Sequence, residues 1–167
     1  VAWNGISFPE LASNQNRKHD HIQLFTMCRL VERKNVHVSV EACANLLARG
    51  LQIQYLIAGD GPEHSRIHGL VRKIDASESI KLLGYISEEL ALRCYREADL
   101  FLHPQVAASV GRDVEGFGIS VADAMSFGCV VIAGRDGGPS DFITNGVNGF
   151  LVDGHDVDEV TRLLEEL

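Results

Sequence analysis

Residues 52–62 read Gln52-Ile53-Gln54-Tyr55-Leu56-Ile57-Ala58-Gly59-Asp60-Gly61-Pro62. An apolar, β-favouring run stops at a glycine–proline turn, and helical spacing begins straight after it, with Ile67, Leu70, Val71 and Ile74 on one face of a helix over about 63–74. A short continuous apolar strand that feeds directly into a helix is what a parallel sheet covered on both faces requires. The same unit lies upstream. Residues 22–27 form an apolar strand that stops at Arg29; Asn35 is placed to cap a helix carrying Val36, Val40, Cys43, Ala44 and Leu47; Gly50 suits its C-terminal stop. Downstream, the spacing predicts strands over 80–83, 100–103, 129–133 and 150–152. Helices are predicted over 87–98, with Ser87 as cap, 119–127 and 156–167, with a short helical turn after Gly137-Gly138-Pro139. An irregular stretch spans 105–118. The fold class that follows is α/β, a doubly wound, mainly parallel, Rossmann-like sheet with helices on both faces. No internal repeat or second domain interrupts residues 1–167, which read as one domain.

The composition agrees with such a domain. Of the 167 residues, 46% are hydrophobic and 23% charged, which fits a globular chain able to bury a core. The net charge of −8 argues against a nucleic-acid partner, whose phosphates demand clustered Lys and Arg. No apolar run approaches the ~20 residues that cross a bilayer, and no basic-then-apolar leader opens the sequence. Cys28, Cys43, Cys94 and Cys129 are widely spaced and lack zinc-site order, so they read as reduced, mostly buried thiols in a cytoplasmic setting. His64 and His68 lie one helical turn apart without a third ligand, and His19-Asp20-His21 leads into a strand; both sets read as structural or solvent-facing.

In an open parallel sheet, ligands sit beyond the carboxyl ends of the strands. Four places qualify: 29–34, 59–62, 84–86 and 115–123. Arg29 and Lys34 follow the first strand, where a planar guanidinium and a point-charge ammonium can meet a diphosphate. Glu32 and Arg33 have no comparable argument behind them. Glu115-Gly116-Phe117-Gly118-Ile119 joins glycines to a helix start, whose amides and roughly +0.5 charge favour an anion. Asp123 follows about one turn into that helix. Taken alone, each place reads equally well as an ordinary turn or a solvated basic loop.

Together, and in this order, these stretches resemble the C-terminal domain of glycosyltransferase family 4 proteins, also called glycosyltransferases group 1, of GT-B fold. Val1-Ala2-Trp3-Asn4-Gly5-Ile6-Ser7 resembles the family's V-x-x-N-G-I-D element, and Cys28-Arg29-Leu30-Val31-Glu32-Arg33-Lys34 its G-R-L-V-x-x-K loop. Leu56-Ile57-Ala58-Gly59-Asp60-Gly61-Pro62 resembles L-x-I-x-G-x-G-P, Leu82-Leu83-Gly84-Tyr85-Ile86 resembles F-x-G-x-V, and residues 98–104 resemble A-D-x-x-x-x-P. The most diagnostic block runs from Glu115 through Asp123-Ala124-Met125 to Gly128, where the family has two Glu separated by seven residues and then Ala-Met-Ala-x-Gly. Gly138-Pro139-Ser140-Asp141 and residues 146–152 complete the set.

The resemblance implies a donor-binding domain of a retaining glycosyltransferase of hexosyl type, taking a nucleoside-diphosphate sugar. Arg29 and Lys34 would neutralise the diphosphate, and Glu115 would accept from hydroxyls of the donor sugar. Gly116, Phe117, Gly118 and Ile119 would line the sugar and phosphate pocket, with Gly59 beside it. Gly84, Tyr85 and Ile86 would border the nucleobase. Asp123 stands where the family commonly has the Glu that grips the ribose, and its side chain is shorter. Cys28 stands where Gly is usual, so its loop is expected to lack glycine's positive-φ freedom. No cofactor or metal is expected, because no acidic metal-binding cluster is visible. The family's acceptor site belongs to an N-terminal domain that this sequence does not include, so the chain alone is expected to bind donor without appreciable transfer. Lipid-linked acceptors in the family leave a peripheral membrane position open for the intact protein. The alternatives are another GT-B enzyme, such as a glycan phosphorylase or sugar-nucleotide epimerase, and a non-catalytic module that kept the fold.

Overall fold

Adjacent residues of a strand point to opposite faces of its sheet, and here both faces are buried. In the computed structural model, which describes residues 20–107 and 115–167, Leu24 and Phe25 are both fully buried yet belong to separate cores. The motif expected at 1–7, and part of the irregular stretch over 105–118, lie outside the described residues. The strands are β1 (Ile22–Met27), β2 (Ile53–Ala58), β3 (Ile80–Gly84), β4 (Leu100–His103), β5 (Val130–Gly134) and β6 (Phe150–Val152). The helices are α1 (Val36–Ala48), α2 (His64–Lys73), α3 (Glu88–Glu97), α4 (Ile119–Ser126) and α5 (Val157–Glu166). Among the described residues the strands form one sheet in the order β3-β2-β1-β4-β5-β6, with every neighbouring pair parallel.

The period of two sorts the side chains. Leu24, Tyr55, Ile57, Leu100 and Leu102 face the side covered by α1, α2 and α5. Phe25, Phe101, Val131 and Ala133 face the side covered by α3 and α4. On that second side, Phe25 meets Tyr95 edge-on with ring centroids 5.1 Å apart and meets Phe101 at 5.9 Å, while Tyr95 stacks on Phe127 at 5.5 Å. These are favoured aromatic geometries that add to the burial of the rings themselves. The first core holds a polar pair: Thr26 Oγ1 donates to the Leu102 carbonyl at 2.5 Å and lies 2.7 Å from the Tyr55 hydroxyl, so neither buried group is orphaned.

The expected elements are all present, with ends differing by a residue or two. Ser87 caps α3 by accepting from the Leu90 amide at 3.2 Å, and Asp156 does the same for α5 through the Glu159 amide at 2.8 Å. Asn35 departs from the expectation. It precedes α1 in a left-handed conformation at φ 53° and makes no side-chain cap. Its amide instead donates to the Gly154 carbonyl, so the asparagine ties the loop after β1 to the loop after β6. Asparagine tolerates this backbone where most residues do not. Cys28 agrees with the expectation: among the described residues the positive-φ positions other than glycine are Asn35 and Asp75, so the backbone at 28 takes no positive φ.

A parallel sheet whose chain runs one way from β1 to β3 and then returns to β4 opens a crevice between β1 and β4 at their carboxyl ends. Phe101, at 0% exposure, holds that junction from below. Phe101→Ala is expected to lower unfolding free energy by about 3–5 kcal/mol in urea titrations; a loss under about 1 kcal/mol would mean the junction is not a well-packed core.

Candidate functional site

The crevice holds an open cavity of about 580 Å³. Its floor comes from the end of β1 and the turn after β2, through Met27, Cys28, Ala58 and Gly59. Gly59 has to be glycine there. At φ 119° a side chain would be strained, and a Cβ would run into the Cys28 carbonyl; Gly61 stands in the same relation to the Leu30 carbonyl. This close approach lets the Leu30 amide donate to the Asp60 carbonyl at 2.9 Å, joining the two loops.

One wall of the cavity is the segment leading into α4. Glu115, Gly116, Phe117, Gly118, Ile119, Ser120 and Asp123 all border it. That segment lies flat on a second glycine loop. The Gly138 amide donates to the Glu115 carbonyl at 2.9 Å, and no side chain fits between the loops: a Cβ on Gly137 would sit 2.6 Å from the Glu115 carbonyl, and one on Gly138 would strike the Gly116 carbonyl. Gly118 has φ 80°, which turns the chain into α4, whose first residues Ile119 and Ser120 border the cavity. Tyr85 and Ile86 border the opposite side, and Tyr85 is 84% exposed.

The charged centre is assembled by three loops. Lys34, buried at the end of the 3-10 turn Glu32–Lys34, ion-pairs with Glu115 Oε2. Arg33 reaches the same oxygen at 3.1 Å, and His103 Nε2, at the end of β4, lies 3.3 Å from it. His103 Nε2 also lies 3.1 Å from Lys34 Nζ. Among the described residues every one of these bonds falls on Oε2, so Oε1 of Glu115 carries none. Burial alone would raise the Glu115 carboxyl, but hydrogen bonds from His103 and Lys34 and the ammonium charge outweigh it and hold the group well below the usual carboxylate range. Burial drives the His103 imidazole below its ordinary value, and the Lys34 charge adds to this against the opposing bond to Glu115. Burial pushes the Asp123 carboxyl up, and its side chain accepts no hydrogen bond among the described residues.

Of the residues singled out from the sequence, Arg29, Lys34, Gly59, Tyr85, Ile86, Glu115, Gly116, Phe117, Gly118, Ile119 and Asp123 border one cavity. Gly84 does not. It ends β3 at φ 65°, and its carbonyl accepts from the Gly59 amide at 2.7 Å, which sets the turn that presents Tyr85. Arg29 is exposed at the rim and joins none of the bonds on Glu115. Two members of the charged centre were passed over in the sequence, Arg33 and His103. The signal for His103 was a histidine closing an apolar strand at the carboxyl edge of the sheet, two residues after Phe101. No group of three or more His, Cys, Asp or Glu among the described residues is arranged to hold a metal ion.

A family model described as glycosyl transferases group 1 matches residues 7–167. The chain belongs to that family. Among relatives, this group 1 domain is 35% identical over 139 residues to the GDP-mannose-dependent monoacylated alpha-(1-6)-phosphatidylinositol monomannoside mannosyltransferase of Corynebacterium glutamicum, covering 83% of this chain and 36% of the relative. It is 29% identical over 145 residues to the putative colanic acid biosynthesis glycosyltransferase WcaL of Salmonella typhimurium, covering 87% of this chain and 36% of the relative. The domain therefore spans little more than a third of the curated relatives it matches. Among solved structures, a complex of S. aureus TarM with UDP superposes with a TM-score of 0.81 at 21% identity, over 97% of this chain and 31% of that one. The Rossmann-like half of a GT-B glycosyltransferase is thus the fold of this group 1 domain.

The charged centre predicts the pH response. Both Glu115 and His103 have folded pKa values below their ordinary ones, 4.5 and 6.5, so the unfolded chain binds more protons and stability falls as pH falls. His37, also lowered by burial, has the same sign, whereas Asp123, raised by burial, has the opposite one. Unfolding free energy measured from pH 8 downward is expected to fall below about 6.5 and again below about 4.5. The difference between wild type and Glu115→Gln isolates the second step; a difference independent of pH between 6 and 3 would contradict the geometry.

Proposed function

We propose that this domain binds the nucleoside-diphosphate sugar donor of a retaining, hexosyl-transferring enzyme. One observation carries the reading: cations, a helix start and two carboxylates border the same cavity. Arg29 and Lys34 border it across from the first turn of α4, a combination suited to a diphosphate. Glu115 and Asp123 border it too, and among the described residues neither Glu115 Oε1 nor the Asp123 carboxylate accepts a hydrogen bond. Sugar and ribose hydroxyls are the matching donors. A volume of about 580 Å³ is of the size that holds a small-molecule ligand, roughly 300–1,000 Å³.

In this reading the diphosphate lies between Arg29, Lys34 and the α4 amides, which stabilise the charge that grows on it as the sugar–phosphate bond breaks. Glu115 orients the sugar, and Asp123 takes the ribose. The exposed ring of Tyr85 offers a face to the base. The phosphate charge is met by these groups without a metal. The GDP-mannose dependence of the corynebacterial relative and the UDP in the TarM complex support a nucleoside-diphosphate donor without choosing its base. Acceptor binding is assigned to the N-terminal domain of the intact protein, since transfer needs both substrates held together and proximity supplies up to about 7–11 kcal/mol. On this account the chain acts in glycan synthesis on the cytoplasmic side, with any membrane contact made through that other domain.

Ligand-detected NMR with UDP, GDP and ADP, each alone and as the glucose or mannose conjugate, tests the donor site. One base is expected to bind best, with Arg29→Ala and Lys34→Ala each weakening it about tenfold and Tyr85→Ala about fivefold. Adding Mg²⁺ is expected to change none of these affinities by more than about twofold. No binding at millimolar concentration, or affinities indifferent to Arg29→Ala and Lys34→Ala, would overturn the reading.

A further inference from the structure

We propose that His103 is a positioning residue of this site: its Nε2–H holds Glu115 Oε2 and thereby presents Oε1 to the donor sugar. The inference rests on the donor-binding reading of the cavity and names a residue that the family motifs do not assign.

The tautomer follows from the two ring nitrogens. His103 is 1% exposed, and its Nδ1 is buried without a hydrogen-bond partner among the described residues. If Nε2 accepted from Lys34, the ring proton would have to sit on Nδ1, a buried N–H with no acceptor among the described residues. A buried N–H left unpaired is among the least tolerated arrangements in a folded protein, more so than a bare lone pair. With the proton on Nε2, the ring instead donates to a carboxylate 3.3 Å away, a charge-assisted bond. Lys34 then donates to Glu115, and its 3.1 Å approach to Nε2 carries no hydrogen bond.

The three groups on Glu115 Oε2 differ in what a diphosphate would do to them. Lys34 borders the cavity, so an arriving phosphate competes for its ammonium. Arg33 is long, and its side chain is 21% exposed. The His103 side chain is 0% exposed, uncharged and fixed at a strand end, its ring stacked 6.1 Å from that of Phe101. It has no route to the phosphate. It is the donor that keeps its partner when the ligand binds, and so it sets the angle at which the other carboxylate oxygen meets the sugar.

The test compares His103→Leu and His103→Gln with wild type, using UDP, GDP and ADP and their glucose and mannose conjugates. Glutamine places an amide N–H near the Nε2 position; leucine places none. His103→Leu is expected to weaken the sugar conjugate about tenfold and the bare nucleotide less than about twofold, with His103→Gln restoring most of the loss. Equal weakening of conjugate and nucleotide, or no weakening of either, overturns the positioning role while leaving the donor site standing. Wild type that binds none of the nucleotides overturns both. Nitrogen-15 NMR of the wild-type imidazole supplies a measurement that needs neither ligand nor variant: the Nε2–H tautomer supports the proposal, and the Nδ1–H tautomer overturns it.

Discussion

Burying a carboxylate, an ammonium and an imidazole beside one another is costly unless each is paired, and this cost organises the upper edge of the sheet. Glu115 reaches its partners because the segment leading into α4 lies beside the loop after β1, where Lys34 and Arg33 wait on a tight 3-10 turn. His103 closes the triangle from the end of β4. Loops that are far apart in sequence, 34 against 115, are tied to one oxygen atom. Removal of the Lys34 ammonium would leave the Glu115 carboxylate charged and poorly solvated, which is the circumstance in which a buried pair matters most.

The architecture was legible because each strand carries a local signal that agrees with the global one. The run over 53–58 is apolar on both faces, its turn is glycine-rich, and the next segment has helical spacing; in a parallel sheet those three facts have one solution. What was not legible is long-range bonding. Asn35 has the composition of a helix cap, and nothing nearby in sequence says that its amide will be claimed by Gly154.

The site shows the same division. Arg29, Lys34, Glu115 and Asp123 could be named from their places at strand ends and helix starts, together with the resemblance. Arg33 and His103 could not, since both act through a residue more than ten positions away, and neither side chain type is diagnostic by itself. A histidine at the end of a strand of aromatic and aliphatic residues looks like a core histidine, and it is one. Its positioning role is a consequence of being core.

The glycine loops 115–118 and 137–138 meet backbone to backbone, with no side chain layered between them. Such a contact has no soft material in it, since side-chain rotamers are what normally absorb small changes in a protein. The two loops therefore cannot diversify separately: a lineage that alters the curvature of one must accept a matching change in the other or lose both. Novelty in ligand choice is pushed outward to positions with slack, such as 85 and 119, whose side chains are exposed at the rim of the cavity. The fold thus separates a part that is free to explore from a part that is frozen, and the boundary between them is drawn by where a Cβ atom fits.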